Sequence, residues 1–200
     1  DHDEGNIIAL KKGEFQVINK GNFNFYFLNK AEKVYAEQFA YYFNEIVGYY
    51  LSIFGKKEIH NLDIVSLDME KVTGAYFRKE LIVINKIPVY DNINKIREYT
   101  ISILGHELGH NWFFSADTTT WEDWVGETGA EWANLLYILS LGDIDFFERS
   151  LSSAKEKYKD TPVIKSSDLK RPSEGVHIRG VMMFYEIYCK YGTEMIIKIL

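Results

Sequence analysis

His106-Glu107-Leu108-Gly109-His110 reads H-E-x-x-H. On a helix, four residues advance about 400°, so the two imidazoles share one face and can hold one metal ion. Glu107 is turned away from that pair, yet within reach of a water on the metal, where a carboxylate acts as base. These residue types at this spacing are those of a zinc hydrolase. The pentapeptide fixes few positions, and a helix with two exposed or internally satisfied histidines is the alternative. The rest of the chain has to supply the missing parts.

A hydrolytic zinc site needs three protein ligands and one open position. Among the acids downstream, Glu127 is the best candidate for the third ligand. It begins a helix whose pattern buries one face, and helix followed by helix lets it face the two histidines. Glu131 lies four residues on, hence on the same face, where it can accept a hydrogen bond from a ligand histidine and fix its tautomer. Both are equally readable as surface carboxylates near a helix N-terminus, where negative charge is favoured. Their apolar neighbours Trp124, Val125, Ala130 and Trp132 argue for a buried turn instead.

The elements that must position these groups follow from periodicity. Residues 15–18 and 23–28 read as strands around a turn at Asn19-Lys20-Gly21-Asn22. Residues 30–54 form a long helix with a core stripe of Val34, Phe39, Tyr42, Phe43, Ile46, Val47, Tyr50, Leu51 and Phe54, closed by Gly55. Strands are expected at 62–67, 72–77 and 80–85, adjacent in one sheet. The histidine helix follows Asp91-Asn92. After a polar loop at 115–120 come a helix through Leu139, a shorter one from Asp143 to about Tyr158, a loop at 159–173, a helix from Glu174 to Tyr191 and a last one from Thr193. Strands first and helices after predict an α+β fold, with a small sheet lobe, a helical lobe and the metal in the cleft between them.

Composition limits the function classes. With 46% apolar residues and a net charge of −6, the 200-residue chain is globular and mildly acidic, with no basic footprint for nucleic acid. The single cysteine, Cys189, cannot form an internal disulfide and reads as a small buried core residue. Residues 1–12 read as polar and frayed. No apolar run is long enough to span a membrane. Asp1-His2-Asp3-Glu4 at one end and an uncapped apolar helix at the other suggest a single catalytic domain, residues 1–200, excised from a longer chain. The compartment would be extracellular or cell-envelope if a signal segment has been removed, and cytoplasmic otherwise.

The stretch His106-Glu107-Leu108-Gly109-His110-Asn111-Trp112-Phe113 resembles the H-E-L-A-H-Q-W-F stretch of aminopeptidase N-type gluzincins. Trp124-Val125-Gly126-Glu127-Thr128-Gly129-Ala130 is similar to their W-L-N-E-G-F-A stretch, with two residues fewer between the motifs. The resemblance implies a thermolysin-like zincin fold, Zn2+ as cofactor and Glu127 as third ligand. Glu131 is similar to an outer carboxylate of thermolysin-type gluzincins. His177-Ile178-Arg179-Gly180-Val181 resembles the family's Y-x-K-G-A stretch, and His177 would take the tyrosine's place in stabilising the oxyanion. Gly74-Ala75-Tyr76-Phe77-Arg78 matches only the first two positions of the family's G-A-M-E-N motif. Gly74, Ala75 and Tyr76 would still bind substrate backbone at a sheet edge, but the amine-anchoring glutamate is replaced by Phe77.

The expectation is a zinc-dependent peptide hydrolase acting on peptide or protein substrates. The choice between aminopeptidase and endopeptidase stays open. The competing class is a non-catalytic, zinc-containing, peptidase-like binding module.

Overall fold

Gly21 and Asn22 form a two-residue turn, with Gly21 at φ 62°, joining β1 (Gln16–Lys20) to β2 (Phe23–Phe27) in antiparallel register with Lys20 opposite Phe23. Positive φ here suits glycine, and a short loop of this kind matches the twist of a hairpin. The computed structural model describes residues 15–57, 59, 61–67, 74–78, 80–85, 87–114, 116–165 and 175–200. The expected frayed start, the first two residues of the strand expected at 72–77, Ser115, the loop at 166–173 and Glu174 lie outside them.

The chain divides into two units, Asp1–Phe43 with Glu58–Thr100, and Asn44–Lys57 with Ile101–Leu200. The first holds a five-stranded sheet in the order β1-β2-β3-β5-β4, where β3 is Leu62–Leu67, β4 Gly74–Arg78 and β5 Leu81–Asn85. β2, β3 and β5 run parallel, and the two outer strands run antiparallel to their neighbours. The step from β2 to its parallel neighbour β3 requires a long crossover, which α1 (Lys33–Phe54) supplies after a short 3-10 turn at Lys30–Glu32. β5 enters between β3 and β4, so the three strands expected to be adjacent are not in chain order. The hairpin β4–β5 folds back so that the later strand pairs inward. Phe25 stacks on Phe39 of α1 at 5.5 Å between centroids, and Phe23 meets Phe43 at 6.0 Å. The stripe that α1 buries begins at Tyr35 and Ala36, whereas Val34 is exposed.

The second unit is helical. It contains the end of α2 (Ile93–Gly109), α3 (Asp123–Ser140), α4 (Ile144–Lys157), α5 (Gly175–Tyr191) and α6 (Thr193–Ile199). Its core is Trp132, fully buried, ringed by Phe147 at 6.4 Å, Phe184 at 6.2 Å and Tyr188 at 5.9 Å. The indole N–H would be a costly orphan there. It donates to the Val181 carbonyl at 3.0 Å and so ties α3 to α5. Asp143 caps α4 by accepting from the Phe146 N–H at 3.1 Å. Cys189 is exposed, contrary to its expected core position. α5 buries Val181 and Phe184 and half-buries Tyr188, and Cys189 stands one position, about 100° of helical turn, off that line. The architecture is mixed α+β. Among the described residues no helix is long and apolar enough to cross a membrane.

Candidate metal centre

Glycine inside a helix costs about 1 kcal/mol relative to alanine, so glycines beside the histidines call for a reason. The end of α2 places Gly105 and Gly109 one turn apart against α3. A Cβ on Gly109 would lie 2.8 Å from the Ala130 Cα and 3.0 Å from its carbonyl oxygen. A Cβ on Gly105 would overlap the side-chain oxygen of Asn134. Only glycine lets the two backbones approach this closely. The seam brings the residues beside these glycines, His106 and His110, up to the second and third turns of α3. Behind α2, buried Tyr50 donates to the Gly105 carbonyl at 2.8 Å and packs edge-on against Trp112 at 5.4 Å. α2 closes at Gly109, so His110 stands just past its end, in a turn where the Trp112 and Phe113 amides both donate to the Gly109 carbonyl. The histidine pair thus straddles a helix terminus.

α3 starts at Asp123, four residues before the expected start at Glu127, and this puts Glu127 and Glu131 on successive turns of a formed helix. Glu127 Oε2 lies 3.1 Å from His106 Nε2, 3.6 Å from His110 Nε2 and 3.3 Å from His177 Nδ1. His106 donates from Nδ1 to Glu131 Oε2 at 3.0 Å. The rings of His106 and His110 meet edge to face at 4.9 Å. Ligand atoms of His106, His110 and Glu127 all lie within 4.8 Å of one another.

This donor set suits zinc. Tetrahedral ligands about 2.1 Å from zinc stand roughly 3.4 Å apart, and the two Nε2 separations from Glu127 Oε2 of 3.1 and 3.6 Å bracket that value. Two imidazoles and one carboxylate leave the fourth tetrahedral corner open. The side chains of His106, His110 and Glu127 are 17%, 21% and 13% exposed.

Electrostatics leaves Glu127 and His110 in the ligating form and His106 protonated. Burial raises the Glu127 carboxyl, but the hydrogen bond from His106 and the charges of His106, His177 and His110 outweigh it and hold its pKa down at about 2. Burial, then the charge of His106, lower His110 to about 4, so its ring is neutral and able to ligate near pH 7. Burial alone would lower His106, but hydrogen bonds to Glu127 and Glu131 prevail and hold it well above 6.5. Glu107, on α2 beside these ligands, is buried at 6% exposure, and its charge adds to the upward pull on His106.

His106, Glu107, His110, Glu127, Glu131 and His177 therefore all fall within the helical unit. His177 lies in the first turn of α5 with its side chain 48% exposed, and its Nδ1 stands 3.3 Å from Glu127 Oε2. Gly74, Ala75 and Tyr76 lie on β4, the last strand of the sheet, in the other unit. Gly105, Tyr50, Thr128 and Gly180 stand around the centre without a role assigned to them from sequence: Tyr50 reads there as core, and Thr128 and Gly180 as members of the stretches that carry the resemblance. Small residues one turn apart beside His106 were the available signal for Gly105 and Gly109.

Among solved structures, the fold is similar to that of native leukotriene A4 hydrolase from Saccharomyces cerevisiae, with 14% identity and a TM-score of 0.65 over 91% of this chain and 31% of that one. A second structure of the native yeast enzyme gives 12% identity and a TM-score of 0.70 over 90% of this chain and 31% of that one. The chain therefore spans less than a third of the length of these proteins. At such identities the likeness is one of fold. No protein-family model and no curated protein sequence matches the chain.

Proposed function

We propose that the protein is a zinc-dependent peptide hydrolase with a gluzincin-type, thermolysin-like site. The observation that carries this reading is the convergence of His106 Nε2 and His110 Nε2 on one oxygen of Glu127, with Glu131 holding the other nitrogen of His106. The fold shared with part of a hydrolase agrees with it.

His106, His110 and Glu127 would hold the ion. When bound, zinc would lower the pKa of water towards about 7 and polarise a carbonyl. Glu131 keeps His106 in the tautomer that presents Nε2. Glu107, buried beside the proposed ligands, takes the proton of the attacking water and returns it to the departing amine. His177 offers a ring N–H to the oxyanion, and its half-exposed position leaves it open to substrate. β4, with Gly74, Ala75 and Tyr76, would receive the substrate backbone as an added strand. Phe77 gives that strand no carboxylate for a free amine.

Glu107→Gln tests the assignment. It should keep bound zinc and lower kcat by about 100-fold to 10,000-fold, the range of general acid–base catalysis. Full turnover in this variant rejects the reading. Zinc bound with no cleavage of a mixed peptide library by the wild-type protein supports the non-catalytic binding module instead. Cleavage of N-terminally blocked peptides marks an endopeptidase, and cleavage of free-amine peptides alone marks an aminopeptidase.

A further inference from the structure

Glu127 and His177 sit on different helices, α3 and α5. What sets their separation is found one residue from the first and three from the second. Thr128 is buried at 1% exposure, and its hydroxyl oxygen has no hydrogen-bond partner. It faces Gly180. A Cβ on Gly180 would overlap the Thr128 hydroxyl and lie 2.9 Å from both Thr128 Cβ and Trp124 Cε3. The α5 backbone thus rests directly on the α3 side chains, with nothing between them. Leaving a buried hydroxyl unpaired costs on the order of 1–3 kcal/mol. Thr128 therefore owes its place to shape, as a spacer, and not to any hydrogen bond.

The opposite side of α5 is fastened at the neighbouring residue. Arg179 donates to the Thr161 carbonyl and, at 3.3 Å, to the Pro162 carbonyl, and its guanidinium lies 4.7 Å from the Tyr158 ring centroid. α5 cannot slide back, because Arg179 holds it to the 158–162 segment. It cannot move closer, because Thr128 stops it. His177 stands one helical turn before Gly180, so the same stop places its ring on Glu127.

We propose that Gly180 and Thr128 are positioning residues: the contact of the Gly180 backbone with the Thr128 side chain sets how near α5 approaches α3, and so holds His177 Nδ1 on Glu127. The consequence for catalysis rests on the peptidase reading above. The geometric part does not. The contact bears most directly on His177, since His106, His110 and Glu127 meet across α2 and α3.

Gly180→Ala is the test, read by imidazole 15N resonances of His177 in the zinc-loaded protein and by steady-state kinetics. The His177 signals should move away from their wild-type positions while zinc stoichiometry holds. kcat should fall by about tenfold to 100-fold, the scale expected for a displacement near 1 Å, with KM within about twofold. Thr128→Ala alone removes the stop without adding bulk, so the His177 signals should move there too, and unmoved signals overturn the proposal. Thr128→Ala with Gly180→Ala should bring signals and kcat part of the way back, because the overlapped atom is gone. Should Gly180→Ala not fold, Arg179→Ala reads the same resonances without adding bulk, and an unmoved His177 there overturns the proposal. So does Gly180→Ala with wild-type His177 signals, or a double variant no better than the single one. A wild-type protein that cleaves no peptide would remove the functional reading and leave the resonance test standing.

Discussion

Two helix seams meet at α3, and they are built differently. Toward α2, Gly109 brings backbone against the Ala130 backbone and Gly105 lies against the Asn134 side chain, and the residues beside them converge on Glu127 with side chains 13–21% exposed. Toward α5, one glycine rests on one unpaired threonine, and the histidine it sets is 48% exposed. The first seam has two close contacts a turn apart, which fix both distance and rotation. The second has one, aided by the Trp132–Val181 hydrogen bond a turn farther along. Holding an ion needs a fixed triangle of donors. Meeting a substrate needs an exposed group whose distance alone is controlled.

If the α2–α3 seam carries the metal, its histidines dominate the pH dependence of zinc uptake. His110 is already neutral above about 4 and Glu127 ionised above about 2. His106, held well above 6.5, still carries a proton that the ion must displace. Zinc affinity should therefore rise with pH by about tenfold per unit between pH 4.5 and 6.5, roughly 100-fold in all, with release of about one proton. Calorimetry in buffers of different ionisation enthalpy counts that proton. A count of two would mean that His110 is not the pre-formed ligand described here.

The next largest effect separates the seams directly. Gly109→Ala puts a Cβ 2.8 Å from the Ala130 Cα, a backbone atom that cannot turn aside. Overpacking of this kind costs about 1–3 kcal/mol, equivalent to a fall in Tm of roughly 2–4 °C per kcal/mol at this chain length. Zinc affinity should fall with it, whereas Gly180→Ala should spare zinc. Equal zinc loss in both variants would erase the distinction between the seams.

Glu131→Gln should act more mildly, and on one seam alone. Glutamine can still accept from His106 Nδ1, so about a tenfold loss of zinc affinity is expected, the lower end for a partner behind a ligand. The His177 resonances should stay put. Their movement would couple the seams through His106.

How much of this was readable from sequence depends on the kind of information. The nearness of His106 to His110 and of Glu127 to Glu131 was readable because each pair is four residues apart in one helix or at its end, where sequence distance is still spatial distance. The helices of the second unit were readable from apolar periodicity and from Gly55, Asp143 and Gly192 at their ends. The order of β3, β5 and β4 was not, because pairing between strands is a long-range choice that no local pattern encodes. Nor were the roles of Gly109 and Gly180. A glycine tells that something comes close, but its partner, Ala130 or Thr128, is named only by the fold. Val34 and Cys189 failed for a shared reason. Each sits one position off the buried line of its helix, and apolar character alone does not give the phase of that line.

Cys189 gives the smallest effect and bounds the second seam from outside. It follows Tyr188 on α5, and Tyr188 packs at 5.9 Å from Trp132 and 5.3 Å from Phe147, whereas Cys189 is exposed. The buried line of α5 therefore ends at Tyr188, and the next residue contributes nothing to holding α5 on α3. Cys189→Ser should change stability by no more than about 0.5 kcal/mol, as surface substitutions usually do. A thiol reagent should label Cys189 in the folded protein without moving the His177 resonances. Slow labelling, or a loss of stability near that of a core cysteine, would rotate the inward face of α5 by one residue. It would then place His177 away from Glu127, because His177 and Cys189 ride on the same helix.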